Sequence, residues 1–380
     1  MSQNEETVII SKEMLSKLPG VGDEEVSAEE RELAKQVGHA FFTSLGSTPN
    51  TQNGQEEEEA RIHGSVGKYR VFSHRMPADQ LPHKIDGSPE TESKLNSLLN
   101  QKDLEHSMVV ACAASVSAKF NDSEAVLADK PLFDGERVVY FLSGGGFASS
   151  DTALSKWYYL RMSKELGMRV FVSRYSVIPE HVFPRALHDV YTSYCHLIQK
   201  SGFHAQNIAL VANSAGCNLA LGTLQLARMQ GYSLPGCCVL ISPLLDLTMS
   251  RGSWKRNHDR CVLPLVPVSQ ENSLARVYYG PAPAAAGFSD DDEFLRQISH
   301  PLVSPLFCDP AGLPPMQIQV GGDEVLLDEA TEFAHRLQRE NGSAELVVYP
   351  QQNHYTVLRG KLQLDQVYGN TRRFIDKSLG

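Results

Sequence analysis

The sequence predicts an α/β protein built on a mostly parallel β-sheet with helices on both faces. From Met108 onward, short apolar runs alternate with longer segments of helical period. Strands that alternate with helices in this way form parallel sheets that are covered on both sides. The chain has 380 residues, of which 42% are hydrophobic and 21% charged, so it can bury one sizeable core with additions.

The alternating region contains seven predicted strands and five predicted helices. The predicted strands are 109–114, 137–142, 168–172, 208–212, 237–241, 316–320 and 345–348. The predicted helices are 152–166, 186–199, 214–229, 329–340 and 362–377. Function in such sheets collects at the carboxyl ends of the strands, so the loops that follow them are the place to look for a site.

Two parts of the chain depart from this alternation and predict a cap over the main domain, which spans 106–380. Residues 1–105 form the first part, where a capping-box pattern at 27–30 opens an amphipathic helix that needs a surface to cover. Within it, the acidic stretch 47–60 is predicted to be a mobile loop. The second part, near 248–304, is predicted to be an insertion that folds over the strand ends.

Charge and cysteine usage narrow the class of protein. A formal net charge of −10 argues against a nucleic-acid partner, because phosphate binding needs clustered Lys and Arg. Seven cysteines without Cys-x-x-Cys spacing predict reduced, mostly buried thiols and no metal site. The polar start and the lack of a long apolar run predict a cytoplasmic protein without a membrane span, and no cofactor is expected.

The stretch 208–227 predicts a serine at a sharp turn between a strand and a helix. In a nucleophile elbow, small neighbours let strand and helix approach each other and leave the serine hydroxyl exposed above the sheet. Here Ala212 and Gly216 flank Ser214 at the required spacing. An ordinary strand-to-helix turn is the alternative, because a small-x-Ser-x-Gly pattern also arises by chance.

Acyl transfer by a serine also needs hydrogen-bond donors for the oxyanion, and the loop after strand 137–142 is rich in glycine. Gly144, Gly145 and Gly146 could direct backbone N–H groups at a developing negative charge, together with the N–H of Ala215. A flexible turn is the alternative. A dinucleotide loop is excluded, because Ser149 stands where Gly-x-Gly-x-x-Gly requires its third glycine.

A base and an acid complete the requirements of a serine nucleophile. His354 follows the last predicted strand, and the preceding strand is followed by a loop with three carboxylates, Asp323, Glu324 and Asp328. The order serine, acid, histidine suits this chemistry. The pattern alone does not choose among the three carboxylates, and Asp328 also suits the N-cap of the following helix.

From about Val138 to the C-terminus, the sequence resembles the hormone-sensitive-lipase-like branch of the α/β-hydrolases. The resemblance rests on the elbow, on Tyr175 with the block 179–190, and on the segments 242–247 and 304–307. The block is similar to the family's Pro-Glu-His-x-Phe-Pro-x-Ala-x-x-Asp. The resemblance implies the α/β-hydrolase fold, with the cap built from the N-terminal helices and the insertion.

The resemblance also implies roles for individual residues. Ser214 would be the nucleophile and His354 the general base, while the oxyanion donors would be the N–H groups of Gly144, Gly145 and Ala215. The family's Asp/Glu-x-Leu-x-Asp-Glu pattern fits 324–329, which favours Glu324 over Asp323 as the acid. A glutamate can fill this role if it reaches the imidazole N–H.

The chain departs from the family's patterns near the predicted site. Ser143 stands where the family has His before its three glycines, and Ala212 and Asn213 replace the Gly and Asp that precede the elbow serine. Backbone N–H donors do not depend on the missing His side chain, so we expect oxyanion stabilisation to survive. The departures bear on rate and substrate more than on fold.

Together these features predict a serine carboxylic-ester hydrolase of the carboxylesterase type that works through an acyl-enzyme. Its expected substrates are short-acyl or acetyl esters of a hydrophobic small molecule. One alternative is a receptor-like, non-catalytic ligand-binding protein on the same fold; another is a lactonase, amidase or acyltransferase. A complete serine, acid and histidine set favours an enzyme. Oligomeric state is left open, with a homodimer as one alternative.

Overall fold

The computed structural model describes residues 58–62, 65–76, 104–120, 125–150, 153–261, 263, 268, 273–280, 291–341, 343–359 and 361–380. Within these residues, nine strands form one sheet. They are β1 (Glu58–Ile62), β2 (Ser65–Met76), β3 (Leu104–Ala113), β4 (Val138–Leu142), β5 (Arg169–Arg174), β6 (Ile208–Asn213), β7 (Cys237–Ile241), β8 (Met316–Gly321) and β9 (Ala344–Tyr349). Their order across the sheet is β1-β2-β3-β5-β4-β6-β7-β8-β9.

Along the chain, most α-helices of the described residues connect one parallel strand to the next. They are α1 (Ala114–Ser117), α2 (Ala153–Leu166), α3 (Arg185–His196), α4 (Ala215–Met229), α5 (Ser253–Arg256), α6 (Leu274–Tyr279), α7 (Asp291–Ile298), α8 (Leu327–Asn341), α9 (His354–Arg359) and α10 (Lys361–Leu379). A π-helical turn, Leu197–Ser201, continues α3.

Six neighbouring strands, from β5 across to β9, run parallel, while β1, β2 and β3 form an antiparallel extension beside β5. The register aligns the carboxyl ends of the parallel strands: Leu142 lies beside Ala212, and Asn213 lies beside Ile241. The loops that follow these strands therefore open at one edge of the sheet, where the predicted site residues lie.

Apolar side chains cover both faces of the sheet. One layer packs the sheet against α3, α4 and α8, and the other packs it against α2 and α10. Every residue of β4, β7 and β8 is buried, as in a parallel sheet covered on both faces. In β8 the buried residues include the polar Gln317 and Gln319. The predicted α/β fold class is confirmed, and each of the seven predicted strands and five predicted helices is present with boundaries shifted by a few residues.

The predicted N-terminal segment, 1–105, differs from the expectation where it is described. Residues 58–62 and 65–76 are strands of the sheet, and Leu104 already begins β3. The last three residues of the predicted mobile loop 47–60 therefore lie in β1, paired antiparallel with β2. Backbone hydrogen bonds between strands do not depend on apolar side chains, so even a Glu-rich stretch can join a sheet edge. The predicted helix that opens at residue 27 lies outside the described residues.

In its described residues, the predicted insertion, 248–304, contains three short helices, α5, α6 and α7. Residues 262, 264–267, 269–272 and 281–290 of this region lie outside the described part of the chain. In α6, Tyr278 stacks on Phe147 with ring centroids 3.8 Å apart. Helix α6 of the insertion is thus packed against the glycine-rich loop after β4. No described helix is both long and apolar enough to cross a membrane.

Candidate active site

Ser214 occupies the turn between β6 and α4 in a strained backbone conformation, with φ 51° and ψ −125°. A non-glycine residue there costs about 1–3 kcal/mol, so the surroundings must hold it. The Ser214 N–H donates to the carbonyl of Ile241 at 2.9 Å, and the Ser214 carbonyl accepts from the N–H of Leu244 at 3.2 Å. Both bonds connect the turn to the end of β7, which fixes the serine at the carboxyl edge of the sheet.

Small residues allow this turn to approach the neighbouring loop. A Cβ at Gly216 would lie 2.2 Å from the carbonyl oxygen of Leu142, and a Cβ at Gly144 would lie 2.7 Å from the Cβ of Ser214. Neither position can accept a side chain without moving backbone. Ala212, which replaces the family's glycine, is fully buried among core side chains. The elbow therefore keeps its tight geometry with one added methyl group.

His354 and Glu324 meet Ser214 in one chain of hydrogen bonds. His354 Nε2 lies 3.0 Å from Ser214 Oγ, and His354 Nδ1 lies 2.7 Å from Glu324 Oε2. A carboxylate oxygen accepts, so Nδ1 carries the proton and Nε2 is left to accept from the serine hydroxyl. The exposed fractions are 9% for Ser214, 7% for His354 and 0% for Glu324. The serine hydroxyl thus faces an imidazole whose orientation is fixed by its bond to Glu324.

Glu324 is held by two donors besides the histidine. Its Oε1 accepts the hydroxyl of Ser242 at 2.6 Å and the N–H of Gly321 at 2.6 Å. Ser242 is fully buried, has φ 49°, and donates its own N–H to the carbonyl of Gln319. Sequence reasoning missed Ser242, although it lies in the family-like segment 242–247, because spacing gave that segment no role.

The other two predicted carboxylates, Asp323 in the loop after β8 and Asp328 in the first turn of α8, point elsewhere. Asp323 lies 3.2 Å from Arg260 Nη1. Asp328 accepts the N–H of Ser253 at 2.8 Å and pairs with Arg256 at 2.6 Å. Both carboxylates therefore hold the beginning of the insertion. The structure brings Glu324, and not the alternative acid Asp323, to the histidine.

The predicted oxyanion donors are only partly available. The N–H of Gly144 donates to Asn213 Oδ1 at 2.5 Å, so a side chain of the elbow already uses this donor. Ala215 is the first residue of α4, where backbone N–H groups have no intrahelical partner. Gly145 has φ 128°, and in the described part of the chain its N–H makes no hydrogen bond. The predicted set is corrected by removing Gly144.

The described residues contain no group of three or more His, Cys, Asp or Glu side chains that could hold a metal ion. All seven cysteines are free and buried, as the sequence predicted.

Residues 138–358 match the model of a protein family described as having the alpha/beta hydrolase fold. The chain belongs to this family. The hydrolase is 28% identical over 213 residues to an esterase of Acinetobacter venetianus, a match that covers 56% of this chain and 65% of that esterase. It is 31% identical over 225 residues to the esterase LipU of Mycobacterium tuberculosis, covering 59% of this chain and 71% of LipU.

Further relatives agree with the predicted branch of the family. An acetyl-hydrolase of Streptomyces hygroscopicus is 28% identical over 225 residues, covering 59% of this chain and 70% of that protein. The crystal structure of an esterase from the bacterial hormone-sensitive lipase family shares the fold, with a TM-score of 0.56, 22% identity, and 97% of this chain and 96% of that chain covered. The family match, the esterase relatives and a 28% identical stretch of 161 residues in the hormone-sensitive lipase of Mus musculus confirm the hormone-sensitive-lipase-like resemblance and the carboxylesterase-type class.

The substituted positions near the site make local hydrogen bonds. Asn213 accepts the N–H of Gly144 with its amide oxygen, which carries no net charge, unlike the carboxylate of an Asp. Ser143 donates its hydroxyl to the carbonyl of Gly144 at 3.0 Å. Both substituted side chains therefore bond to the backbone of Gly144 in the glycine-rich loop.

Proposed function

We propose that this hydrolase cleaves carboxylic esters through an acyl-enzyme, with Ser214 as nucleophile, His354 as general base and Glu324 as the acid. The observation that carries the proposal is the hydrogen-bond chain of the three side chains, at 3.0 Å and 2.7 Å. These distances lie within the range that direct proton transfer from a serine hydroxyl to an imidazole requires.

In the proposed reaction, Ser214 Oγ attacks the ester carbonyl carbon while its proton passes to His354 Nε2. The tetrahedral intermediate collapses when the bond to the alcohol oxygen breaks, and the alcohol leaves with the proton from Nε2. Water then attacks the acyl-enzyme by the same route, releases the carboxylic acid and restores the Ser214 hydroxyl. Glu324 keeps the imidazole in the productive tautomer and stabilises the imidazolium.

We assign the oxyanion to the backbone N–H groups of Gly145 and Ala215. Each such donor contributes about 2.7–4 kcal/mol to the transition state in comparable sites. In this proposal, the N–H of Gly144 has a different task, because its bond to Asn213 ties the glycine-rich loop to the elbow. The neutral Asn213 also keeps a negative charge away from the developing oxyanion.

For the substrate, we propose short-acyl or acetyl esters of a hydrophobic alcohol, bound beneath a cap formed by the insertion 248–304. The acetyl-hydrolase relative supports the acyl preference. The stacking of Tyr278 on Phe147 and the ion pair of Arg260 with Asp323 support a cap packed against the site. The seven free, buried cysteines support a cytoplasmic location.

The test is Ser214-dependent labelling by a fluorophosphonate probe, combined with turnover of p-nitrophenyl esters of increasing acyl length. We expect labelling of the wild-type protein, an optimum at short acyl chains, and a loss of kcat of about 10⁶-fold in Ser214→Ala. The unfolding temperature of Ser214→Ala should match the wild type. Lactones, amides and acyl acceptors belong in the same panel, because preferred turnover of one of them would change the reaction class.

A folded wild-type protein that neither reacts with the probe nor hydrolyses any ester would overturn the proposal. That result would favour the ligand-binding alternative.

A further inference from the structure

The glycine-rich loop of the site, 143–149, has an unusual backbone. Three consecutive residues, Gly145, Gly146 and Phe147, have positive φ angles of 128°, 59° and 59°. A phenylalanine is disfavoured at such an angle, because its Cβ crowds the backbone. A conformation of this kind persists only when neighbouring groups hold it in place. The loop that carries the proposed Gly145 donor therefore needs hydrogen bonds or packing from neighbouring residues to keep this conformation.

Tyr175, just after β5, contacts both ends of this loop. Its hydroxyl donates to the carbonyl of Ser143 at 2.8 Å and lies 3.2 Å from the carbonyl of Ser149. The side chain is 3% exposed, and burial raises the pKa of Tyr175, so the hydroxyl stays protonated. One buried O–H group thus holds the first and the last residue of the loop 143–149.

The segment that carries Tyr175 is itself fixed. The N–H of Ser176 donates to Asp189 Oδ2 at 2.8 Å, which ties the segment to α3. Two residues further on, the N–H of Ile178 donates to the carbonyl of Phe147 at 3.0 Å, inside the loop. The anchor is therefore rigid at the point where Tyr175 contacts the loop.

We propose that Tyr175 is a positioning residue for catalysis, whose hydroxyl closes the loop 143–149 so that the Gly145 N–H faces the oxyanion. The inference rests on the proposed ester hydrolysis and adds a residue to it. Tyr175 does not contact the reacting atoms. Removing its hydroxyl leaves the catalytic serine, acid and histidine unchanged and loosens one donor of the oxyanion site.

Tyr140 in β4 provides a matched control. It is also fully buried, and its hydroxyl donates to the carbonyl of Val190 in α3 at 2.6 Å, away from the loop. Tyr140→Phe and Tyr175→Phe each remove one buried hydroxyl from the same layer of the core; the hydroxyl contacts one backbone carbonyl in Tyr140 and two in Tyr175. A loss of activity that comes only from destabilising the core should therefore appear in both variants.

The experiment compares the two variants by steady-state kinetics with a short-acyl p-nitrophenyl ester, by inhibition with a trifluoromethyl ketone, and by hydrogen exchange. In Tyr175→Phe, we expect kcat to fall about 10–100-fold with KM nearly unchanged, because the lost interaction acts in the transition state. The affinity for the ketone, which forms a tetrahedral adduct, should fall in parallel. Amides of 143–149 should exchange faster in Tyr175→Phe and at the wild-type rate in Tyr140→Phe.

Two results would overturn the role of Tyr175 alone. One is a wild-type enzyme with Ser214-dependent activity whose kcat and loop exchange survive Tyr175→Phe. The other is an equal loss of kcat in both tyrosine variants, which assigns the effect to general destabilisation. A wild-type protein without esterase activity or probe labelling would instead overturn the proposed function, and the catalytic role of Tyr175 with it.

Discussion

At the scale of single residues, the neighbours Asp323 and Glu324 provide a sharp comparison. The Glu324 carboxylate is fully buried and accepts hydrogen bonds from His354, Ser242 and Gly321. Asp323 has a side chain that is 26% exposed and pairs with Arg260, whose side chain is 61% exposed. Exposed ion pairs of this kind contribute about 0–1 kcal/mol. Although Asp323 and Glu324 are adjacent, their side chains point in different directions and contact different partners, Arg260 and His354.

We expect Glu324→Gln to lower kcat about 10⁴-fold, because an amide that donates to the imidazole favours the unproductive tautomer. Asp323→Asn should change kcat by about twofold or less, since it weakens only a surface pair. The measurement is kcat and KM of both variants with one short-acyl ester, with thermal unfolding as the check on folding. The opposite ranking would transfer the role of the acid to Asp323.

Spacing and resemblance predicted which residues meet at the site, but not how each polar atom is used. Chain order and the elbow pattern identified Ser214 and His354, because these depend on strand ends that alternate regularly with helices. The fate of the Gly144 N–H depends on the rotamer of Asn213, and the partner of Glu324 Oε1 depends on the path of the chain after β7. The spacing of residues along the sequence determines neither the rotamer of Asn213 nor the path of the chain after β7.

At the scale of elements, helix α8 contains a buried acid that the proposed mechanism does not use. Glu329 is fully buried, and its Oε1 accepts the N–H of Leu245 at 2.7 Å. Burial, followed by the nearby charge of Asp246, raises the pKa of Glu329 well above its ordinary value. In the unfolded chain the same carboxyl loses its proton near pH 4.5. The folded state therefore retains a proton that the unfolded state releases.

This difference makes the free energy of unfolding fall as pH rises above about 4.5, by up to about 1.4 kcal/mol per pH unit, until the folded-state pKa is reached. Glu329→Gln keeps an oxygen acceptor for Leu245 and removes the titration. We expect the variant to gain stability relative to wild type between about pH 5 and pH 8. Urea unfolding at several pH values measures the gain.

Glu332 on the same helix is the control for this series. Its side chain is 41% exposed, so Glu332→Gln should give a stability curve nearly parallel to that of the wild type. A curve for Glu329→Gln that is also parallel to the wild type would contradict the buried, protonated state of Glu329.

Elements differ in how far the sequence predicted them, and burial explains the difference. The central strands β4, β6 and β7 are largely apolar because both faces are covered, and β8 alternates Gln317 and Gln319 with apolar residues, so these strands were recognisable without any partner. Strand β3 begins at Leu104, earlier than predicted, because its polar residues Glu105, His106 and Ser107 pair with β2. Such antiparallel pairing is specified by a partner strand distant in the chain, which no local pattern reveals.

At the scale of the whole molecule, the seven cysteines report on the integrity of the core. All are free and buried. Burial raises the pKa of Cys112 and of Cys261 to about 11, and that of Cys195 and of Cys237 to about 12. Reaction with a disulfide reagent requires an accessible thiolate. In the native protein the thiols are buried, and their raised pKa values keep them protonated, so they are neither accessible nor thiolates.

We therefore expect the native protein to react with Ellman's reagent far more slowly than a free thiol does. In the denatured protein, seven thiols per chain should react. The control is a sample reduced and desalted before the assay, which should give the same count. Fewer than seven thiols without reduction, or rapid reaction of a native thiol, would contradict the buried, unpaired state of these side chains.

The hydrogen-bond chain at the site joins residues that are far apart along the polypeptide. Ser214 and His354 are separated by 140 positions, and Glu324 lies 30 positions before His354. Contacts between distant residues form late when a chain folds, because closing the long intervening loops costs entropy before the contacts compensate for it. Regain of ester hydrolysis after dilution from denaturant should thus follow helix formation and mark the last step of assembly.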